Sequence, residues 1–251
     1  MHRFYLPPND WSAAILPESE AHHARSVLRL GGGDRLVVFD GRGREATAEI
    51  TALDSKAVQL RLLQETRTGP VRARLTLAQA IPKGKNMDLI VQKAVEIGAA
   101  EIFPLLSART VVQLDEESAV QKQSKWQTVA LEGAKQCGQN WLPEVHQPSS
   151  PDAFFRERPA DREELRLVGS LQPGAMHLKK ILAEYAQTHH GSRPQRVLML
   201  IGPEGDFTPA EIALARSHGC LPITLGPIIL RVETAAIYCL SILSYELLGE
   251  S

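Results

Sequence analysis

The chain is 251 residues long and 43% hydrophobic, with 28 Lys and Arg against 29 Asp and Glu. That length can bury one large core or two smaller ones, and so even a charge balance makes no global demand for a nucleic-acid or membrane partner. Three widely spaced cysteines (Cys137, Cys220, Cys239) form no C-x-x-C pair, which argues against a zinc site or a disulfide framework and fits a reduced, cytoplasmic setting. The opening Met1-His2-Arg3-Phe4 lacks the apolar core of a signal peptide. The apolar stretch 221–248 is interrupted by Arg231, Glu233 and Glu246, so no membrane span is expected.

The first third reads as β. Residues 35–40 form a strand-like run, Asp40-Gly41 supplies a tight turn, and 45–53 alternates as the return strand. Residues 56–63 give another alternating run, and short strands joined by tight turns predict a small barrel. The polar, punctuated segment 65–70 marks a linker, dividing the chain into domains 1–70 and 71–251. Residues 1–74 carry eleven basic side chains, ten of them Arg. The guanidinium fork suits phosphate and base edges, although a merely solvated surface would have the same composition. Gly41-x-Gly43-x-x-Ala46 matches a dinucleotide fingerprint, but that motif needs a helix after it. The residues that follow alternate and are β-branched, so a hairpin is expected instead.

From about residue 72 strands and helices alternate. Residues 74–81 read as a strand, and 86–97 as a helix with Met87, Ile90, Val91, Ala94 and Ile97 on one face, closed by Gly98. A strand at 101–106 precedes a long amphipathic helix at 116–136. The proline-punctuated stretch 143–162 reads as an irregular excursion. A strand at 165–171, a helix at 175–188 and a strongly apolar strand at 197–201 follow. Thr208-Pro209-Ala210-Glu211 is a capping box with Pro at the first helical position. That helix ends at Gly219, and a strand at 221–225 and a helix at 233–248 complete the chain. The alternation predicts an α/β fold with a mainly parallel sheet covered by helices.

The chain has no P-loop and no G-x-S-x-G elbow. Its paired histidines, His22-His23 and His189-His190, cannot converge on one face, so no metal site is expected. Two turns behave differently: Ile201-Gly202-Pro203-Glu204-Gly205-Asp206-Phe207 and Leu225-Gly226-Pro227-Ile228-Ile229-Leu230-Arg231-Val232-Glu233-Thr234-Ala235. Each follows an apolar strand and enters a helix, the position where open α/β sheets bind small ligands. Singly, the first fits an ordinary βα loop, and the second an exposed Arg231–Glu233 pair at a helix start. Jointly they predict one shared pocket.

Together these turns resemble the signature of the ribosomal RNA small subunit methyltransferase E family, in the SPOUT class of S-adenosylmethionine-dependent RNA methyltransferases. Met1-His2-Arg3-Phe4, Val27-Leu28-Arg29 with Gly33-Asp34, and Pro82-Lys83-Gly84-Lys85-Asn86-Met87 extend the likeness across nearly the whole chain. So do Gln92-Lys93-Ala94-Val95-Glu96-Ile97-Gly98 and Ser107-Ala108-Arg109. The chain departs from the pattern at Lys135, where an acid is usual, at Gln139, where an Arg is usual, and at Asp206, where a second Gly is frequent.

The resemblance implies a PUA-like RNA-binding β-barrel followed by a SPOUT domain with a C-terminal trefoil knot, acting as a homodimer. It implies methylation of a uridine at N3 in 16S ribosomal RNA of the small subunit, with S-adenosylmethionine as cofactor. Ser170, Leu171, Ile201, Gly202, Pro203, Glu204, Gly205, Leu225, Gly226, Ile229, Leu230, Thr234 and Ala235 would hold that cofactor. Arg231 would stabilise the uracil anion. Glu204 or Glu233 would accept the N3 proton or orient Arg231, orientation being favoured because a carboxylate beside a forming anion costs Coulomb energy. Arg3, Arg25, Arg29, Lys83, Lys85 and Arg109 would meet RNA. Two rivals stand beside this reading: a SPOUT enzyme methylating a ribose 2′-OH, and a non-catalytic RNA-binding assembly protein. Product analysis separates the first, and failure to bind S-adenosylmethionine would favour the second.

Overall fold

The computed structural model describes residues 1–54, 57–159 and 161–249, and the chain divides into two compact units. The first comprises Met1–Pro70 and Leu131–Leu142; the second comprises Val71–Ala130 and Pro143–Ser251.

In the first unit β1 (Arg3–Tyr5), β2 (Arg35–Phe39), β3 (Arg44–Leu53) and β4 (Val58–Arg67) form one sheet in that order. β1 runs parallel to β2, and the other neighbours are antiparallel. Helix α1 (Glu18–His22) continues into a π-helical turn over His23–Val27. Phe4, Leu36, Val38, Ile50 and Val58 are fully or almost fully buried in its core. The hairpin reading of 41–46 holds, because Asp40 Oδ1 accepts from the amides of Arg42 and Arg44 and the chain turns straight back into β3. Lys56, the expected start of the last strand, lies outside the described residues. The linker expected at 65–70 is corrected in part: Glu65, Thr66 and Arg67 pair with Ala46, Glu45 and Arg44, so β4 absorbs half of it. Exposed strand residues are polar, and that polarity mimics a loop.

The second unit holds a seven-stranded sheet whose neighbouring strands are all parallel. Its elements in chain order are β5 (Arg74–Ala80), α2 (Asn86–Ile97), β6 (Ala99–Leu105), α3 (Glu116–Cys137, counted with the first unit from residue 131) and β7 (Glu144–Val145). They continue with α4 (Pro151–Arg156), β8 (Leu165–Gly169), β9 (Met176–His177), α5 (Leu178–Thr188), β10 (Arg196–Ile201), α6 (Pro209–Ser217), β11 (Leu221–Thr224) and α7 (Val232–Leu247). The spatial order is β7-β6-β5-β10-β8-β11-β9. Strands buried on both faces read as continuous apolar runs, and Leu198, Met199, Leu200 and Ile201 of β10 are at most 3% exposed.

Two expectations are revised. The stretch 143–162 is not irregular throughout: it contributes edge strand β7 and helix α4, capped by Ser150 with Pro151 in the first turn. The helix expected from 175 starts at Leu178, because Met176 and His177 pair with Ile223 and Thr224 of β11. The capping box is present in both directions, with Thr208 Oγ1 accepting from the Glu211 amide and the Glu211 carboxylate accepting from the Thr208 amide. Among the described residues no helix is long and apolar enough to cross a membrane.

Candidate active site

β10, β8 and β11 are adjacent in the sheet, so the loops leaving their carboxyl ends converge. They enclose a cavity of about 650 Å³, inside the range of roughly 300–1,000 Å³ usual for small-molecule sites. Gly169–Ala175 forms one wall, Ile201–Asp206 a second and Thr224–Val232 the third, with Ala235 of α7 closing the floor.

The second wall is a tight turn. Pro203 C=O accepts from the Asp206 amide at 3.0 Å, and the third residue of the turn, Gly205, sits at φ +82°, where a side chain would be strained. Gly202 is required for a different reason. A Cβ there would stand 3.0 Å from the Phe207 amide nitrogen and 3.2 Å from its ring, so the turn folds onto the glycine itself. Neighbouring elements fix the turn's edges. Lys83 N–H donates to Glu204 Oε1 at 3.1 Å, and Arg109 Nη1 donates to the carbonyls of Gly205 and Asp206.

Twelve of the thirteen residues expected to hold a cofactor line this cavity: Ser170, Leu171, Ile201, Gly202, Pro203, Glu204, Gly205, Leu225, Gly226, Ile229, Leu230 and Ala235. Thr234 does not, being one helical step further round α7 and exposed. The segment Gln172-Pro173-Gly174-Ala175 also lines it and was not foreseen. Its signal was present, a Pro-Gly pair just after an apolar strand, the same signature that marked the other two walls. Ile228 and Ile229 are 69% and 79% exposed at the rim, an unusual cost for large apolar side chains that no packing within the chain offsets.

Arg231 precedes α7, lines the cavity and is exposed. Among the described residues its guanidinium makes no hydrogen bond or ion pair, while its carbonyl accepts from the Ala235 amide at 2.8 Å. The expected pairing of Glu204 or Glu233 with Arg231 is therefore not seen. Glu204 lines the cavity and is bound by the Lys83 amide, whereas Glu233 accepts from Asn86 Nδ2 at 3.2 Å and lies off the cavity wall. Lys83 sits on the loop between β5 and α2, and Asn86 opens α2 itself.

The residues expected to meet RNA differ in availability. Lys83 and Lys85 are exposed on that same loop. In the first unit Arg29 is exposed, and Arg25 donates to the Asp54 carbonyl at 2.8 Å. Arg3 is used internally: it is ion-paired to Glu45, bonded to Asn140, and stacked 4.4 Å from the Phe39 ring centroid, with a side chain only 12% exposed. Arg109 spends its donors on the Gly205 turn.

One group of three possible metal ligands occurs among the described residues, Glu101, Glu144 and His146, whose ligand atoms lie within 4.8 Å of one another. Glu101 is already paired with Arg74, Arg158 and Arg162, and three guanidinium groups repel a cation. We read this group as an ion-pair network centred on buried Glu101, with His146 half-buried and Glu144 exposed at its edge.

The family profile of an RNA methyltransferase domain matches residues 69–244, and that of an RNA methyltransferase PUA domain matches residues 16–63. The chain is 30% identical over 230 residues to ribosomal RNA small subunit methyltransferase E of Bacillus subtilis, covering 90% of this chain and 88% of that protein. It is 34% identical over 244 residues to the protein of the same name from Mesomycoplasma hyopneumoniae, covering 96% and 98%. The crystal structure of ribosomal RNA small subunit methyltransferase E from Neisseria gonorrhoeae bound to S-adenosyl methionine superimposes with a TM-score of 0.83 at 29% identity, covering 98% of both chains.

Proposed function

The chain belongs to the ribosomal RNA small subunit methyltransferase E family, and from that premise we propose that it methylates N3 of a uridine in 16S ribosomal RNA, with Arg231 as the cation that makes the base reactive. It is an S-adenosylmethionine-dependent ribosomal RNA methyltransferase. One observation carries the finer reading: an unpaired guanidinium on the wall of a cavity built from glycine turns.

The cavity suits the cofactor on its own geometry. Its volume fits a nucleoside-sized ligand, Gly205 and Gly226 at positive φ shape two of its walls, and apolar Leu225, Ile229 and Leu230 line it. S-adenosylmethionine, when bound, supplies a methyl group on a sulfonium, already a strong electrophile. The chain's own task is to prepare the nucleophile. Uracil N3 carries a proton at neutral pH, and Arg231 stabilises the anion spread over N3 and its flanking carbonyl oxygens. Glu204, on the Ile201–Asp206 wall of the same cavity, would accept the N3 proton and leave the base as the anion that is methylated. Glu233, held by Asn86, positions the start of α7, whose N-cap is Arg231.

The remaining finer readings are proposals of the same kind. The sheet of the first unit belongs to a PUA-like barrel, and Arg25 in the π-helical turn beside it and Arg29 just after that turn, with Lys83 and Lys85 in the second unit, engage RNA phosphates. The trefoil knot is supported by the insertion of β10 between β5 and β8 while β11 returns to the far side of β8. A homodimer through α7 is supported by exposed Tyr238 and Tyr245, one stripe of a helix whose other face is buried. The setting is cytoplasmic, and the chemistry requires no metal.

The test is methyl transfer from labelled S-adenosylmethionine to 30S subunits lacking N3-methyluridine, followed by nucleoside analysis. Labelled N3-methyluridine, lost in Arg231→Ala, is the expected result. A 2′-O-methyl product, or transfer undiminished in the variant, would overturn the assignment.

A further inference from the structure

Asp206 joins two walls of the cavity that are otherwise separate loops. Its Oδ2 accepts from the Leu171 amide at 2.8 Å across 35 positions of sequence, and its Oδ1 accepts from the Phe207 amide at 2.7 Å. Its own amide closes the Pro203 turn, and its carbonyl takes a bond from Arg109 at 3.3 Å. Among the described residues the Leu171 amide has no other acceptor. The loop that follows it is held, among the described residues, at one end by the Ser170 amide on Ile223 and the Gln172 amide on Ser170 Oγ, and at the other by the two-residue strand β9.

The backbone of Asp206 is left-handed, at φ +72°. Glycine adopts that conformation without strain, and aspartate is among the few other residues that tolerate it at a cost. A side chain kept at a strained position is there for what it binds. The carboxylate binds an amide of the opposite wall, and both residues line the cavity.

We propose that Asp206 is a positioning residue for the cofactor, a staple that holds the Leu171 loop against the Gly202–Gly205 turn before the ligand arrives. The proposal rests on the cofactor reading above. A pre-ordered wall spares the ligand the entropy of ordering it, so the staple acts on affinity and not on the methyl-transfer step.

The experiment pairs calorimetric S-adenosylmethionine binding with amide hydrogen exchange at Leu171, on wild type and on Asp206→Ala, Asp206→Asn and Asp206→Gly. Asp206→Ala should weaken binding about tenfold, the scale of one charge-assisted hydrogen bond. Asp206→Asn keeps an acceptor oxygen and tolerates the backbone, so it should stay within about twofold of wild type. Asp206→Gly relieves the strain and should melt no lower than wild type, yet bind as weakly as Asp206→Ala. Leu171 amide exchange should accelerate in the Ala and Gly variants only. Equal loss in the Asn and Ala variants would make the charge, not the staple, the cause and would overturn the proposal. So would unchanged exchange at Leu171 in Asp206→Ala. Failure of the wild type to bind S-adenosylmethionine would instead overturn the cofactor reading, while the exchange data would still decide whether the staple exists.

Discussion

Asn86 Nδ2 donates to Glu233 Oε2 at 3.2 Å, tying the first residue of α2 to the first turn of α7. Three residues earlier, on the loop before α2, the Lys83 amide holds Glu204. The short segment 83–86 thus fixes both acidic groups, Glu204 on the cavity wall and Glu233 in the first turn of α7. Asn86→Ala should lower stability by about 1 kcal/mol in urea unfolding, the usual worth of one hydrogen bond. Asn86→Asp should cost more, because it sets a second carboxylate against Glu233.

Arg231 predicts a separation of binding from chemistry. Arg231→Ala should reduce kcat on the order of 10²–10³-fold, the scale of losing one group that stabilises a developing anion, while leaving S-adenosylmethionine affinity near wild type. Arg231→Lys should recover part of the loss, since a point charge replaces a planar fork. Single-turnover kinetics at saturating cofactor would check both, and an equal loss of cofactor affinity would assign Arg231 to binding instead.

Glu101 gives the fold an acid limit. Burial alone would raise its pKa, but the hydrogen bond and charge of Arg74, with the charges of Arg162 and Arg158, outweigh it and bring the value from 4.5 down to about 2. Because the folded value lies below the unfolded one, the contribution is complete above pH 4.5 and is lost as pH falls towards 2. Glu101→Gln should flatten that acid limb in a pH series of urea midpoints. At pH 7 the variant should be destabilised by about 2 kcal/mol, because buried Arg158 is left with Glu163 alone while the half-exposed Arg74 and Arg162 turn to solvent.

Lys135 gives the opposite sign in the first unit. It and Glu20 form a pair 2.9 Å apart with both side chains 7% exposed, and Glu132 adds a second bond. Burial would lower the lysine pKa, yet the bonds and charges of Glu20 and Glu132 outweigh it, so the value stands above the ordinary 10.5. The contribution is complete below that value and is lost as pH rises through the folded one. Lys135→Glu should destabilise by about 3 kcal/mol or more through facing carboxylates. The swap Lys135→Glu with Glu20→Lys should restore much of it, a double-mutant cycle read by thermal unfolding.

The sequence exposed the cavity walls well because backbone constraints write themselves into residue type. Gly202, Gly205, Gly226 and the prolines beside them mark turns that few other residues permit, and all three walls carry that mark. Apolar runs likewise disclosed the buried strands, and Asn86–Ile97 matched its helix at both ends. Side-chain partnerships were far less visible. Arg3 looked like a surface contact, but Glu45 and Asn140 claim it from 42 and 137 positions away. Glu233 looked like a partner for Arg231 and is taken by Asn86, 147 positions away. No local pattern reports a partner chosen by topology. Asp206 is the instructive middle case: its left-handed backbone suits the glycine the turn invites, while its acceptor role exists only once Leu171 is beside it.

The order of strands also bears on how the protein is made. β10 lies between β5 and β8, and the third cavity wall runs on to Val232 near the end of the chain. During synthesis β5, β6 and β7 can pair early, but β10 must find a strand made more than a hundred residues before it. Such long-range parallel pairing forms late and slowly. An unfinished or truncated chain could therefore keep its first unit and the older half of the sheet yet offer no place for a methyl donor. The capacity to react arrives only once the Thr224–Val232 wall has been made and placed.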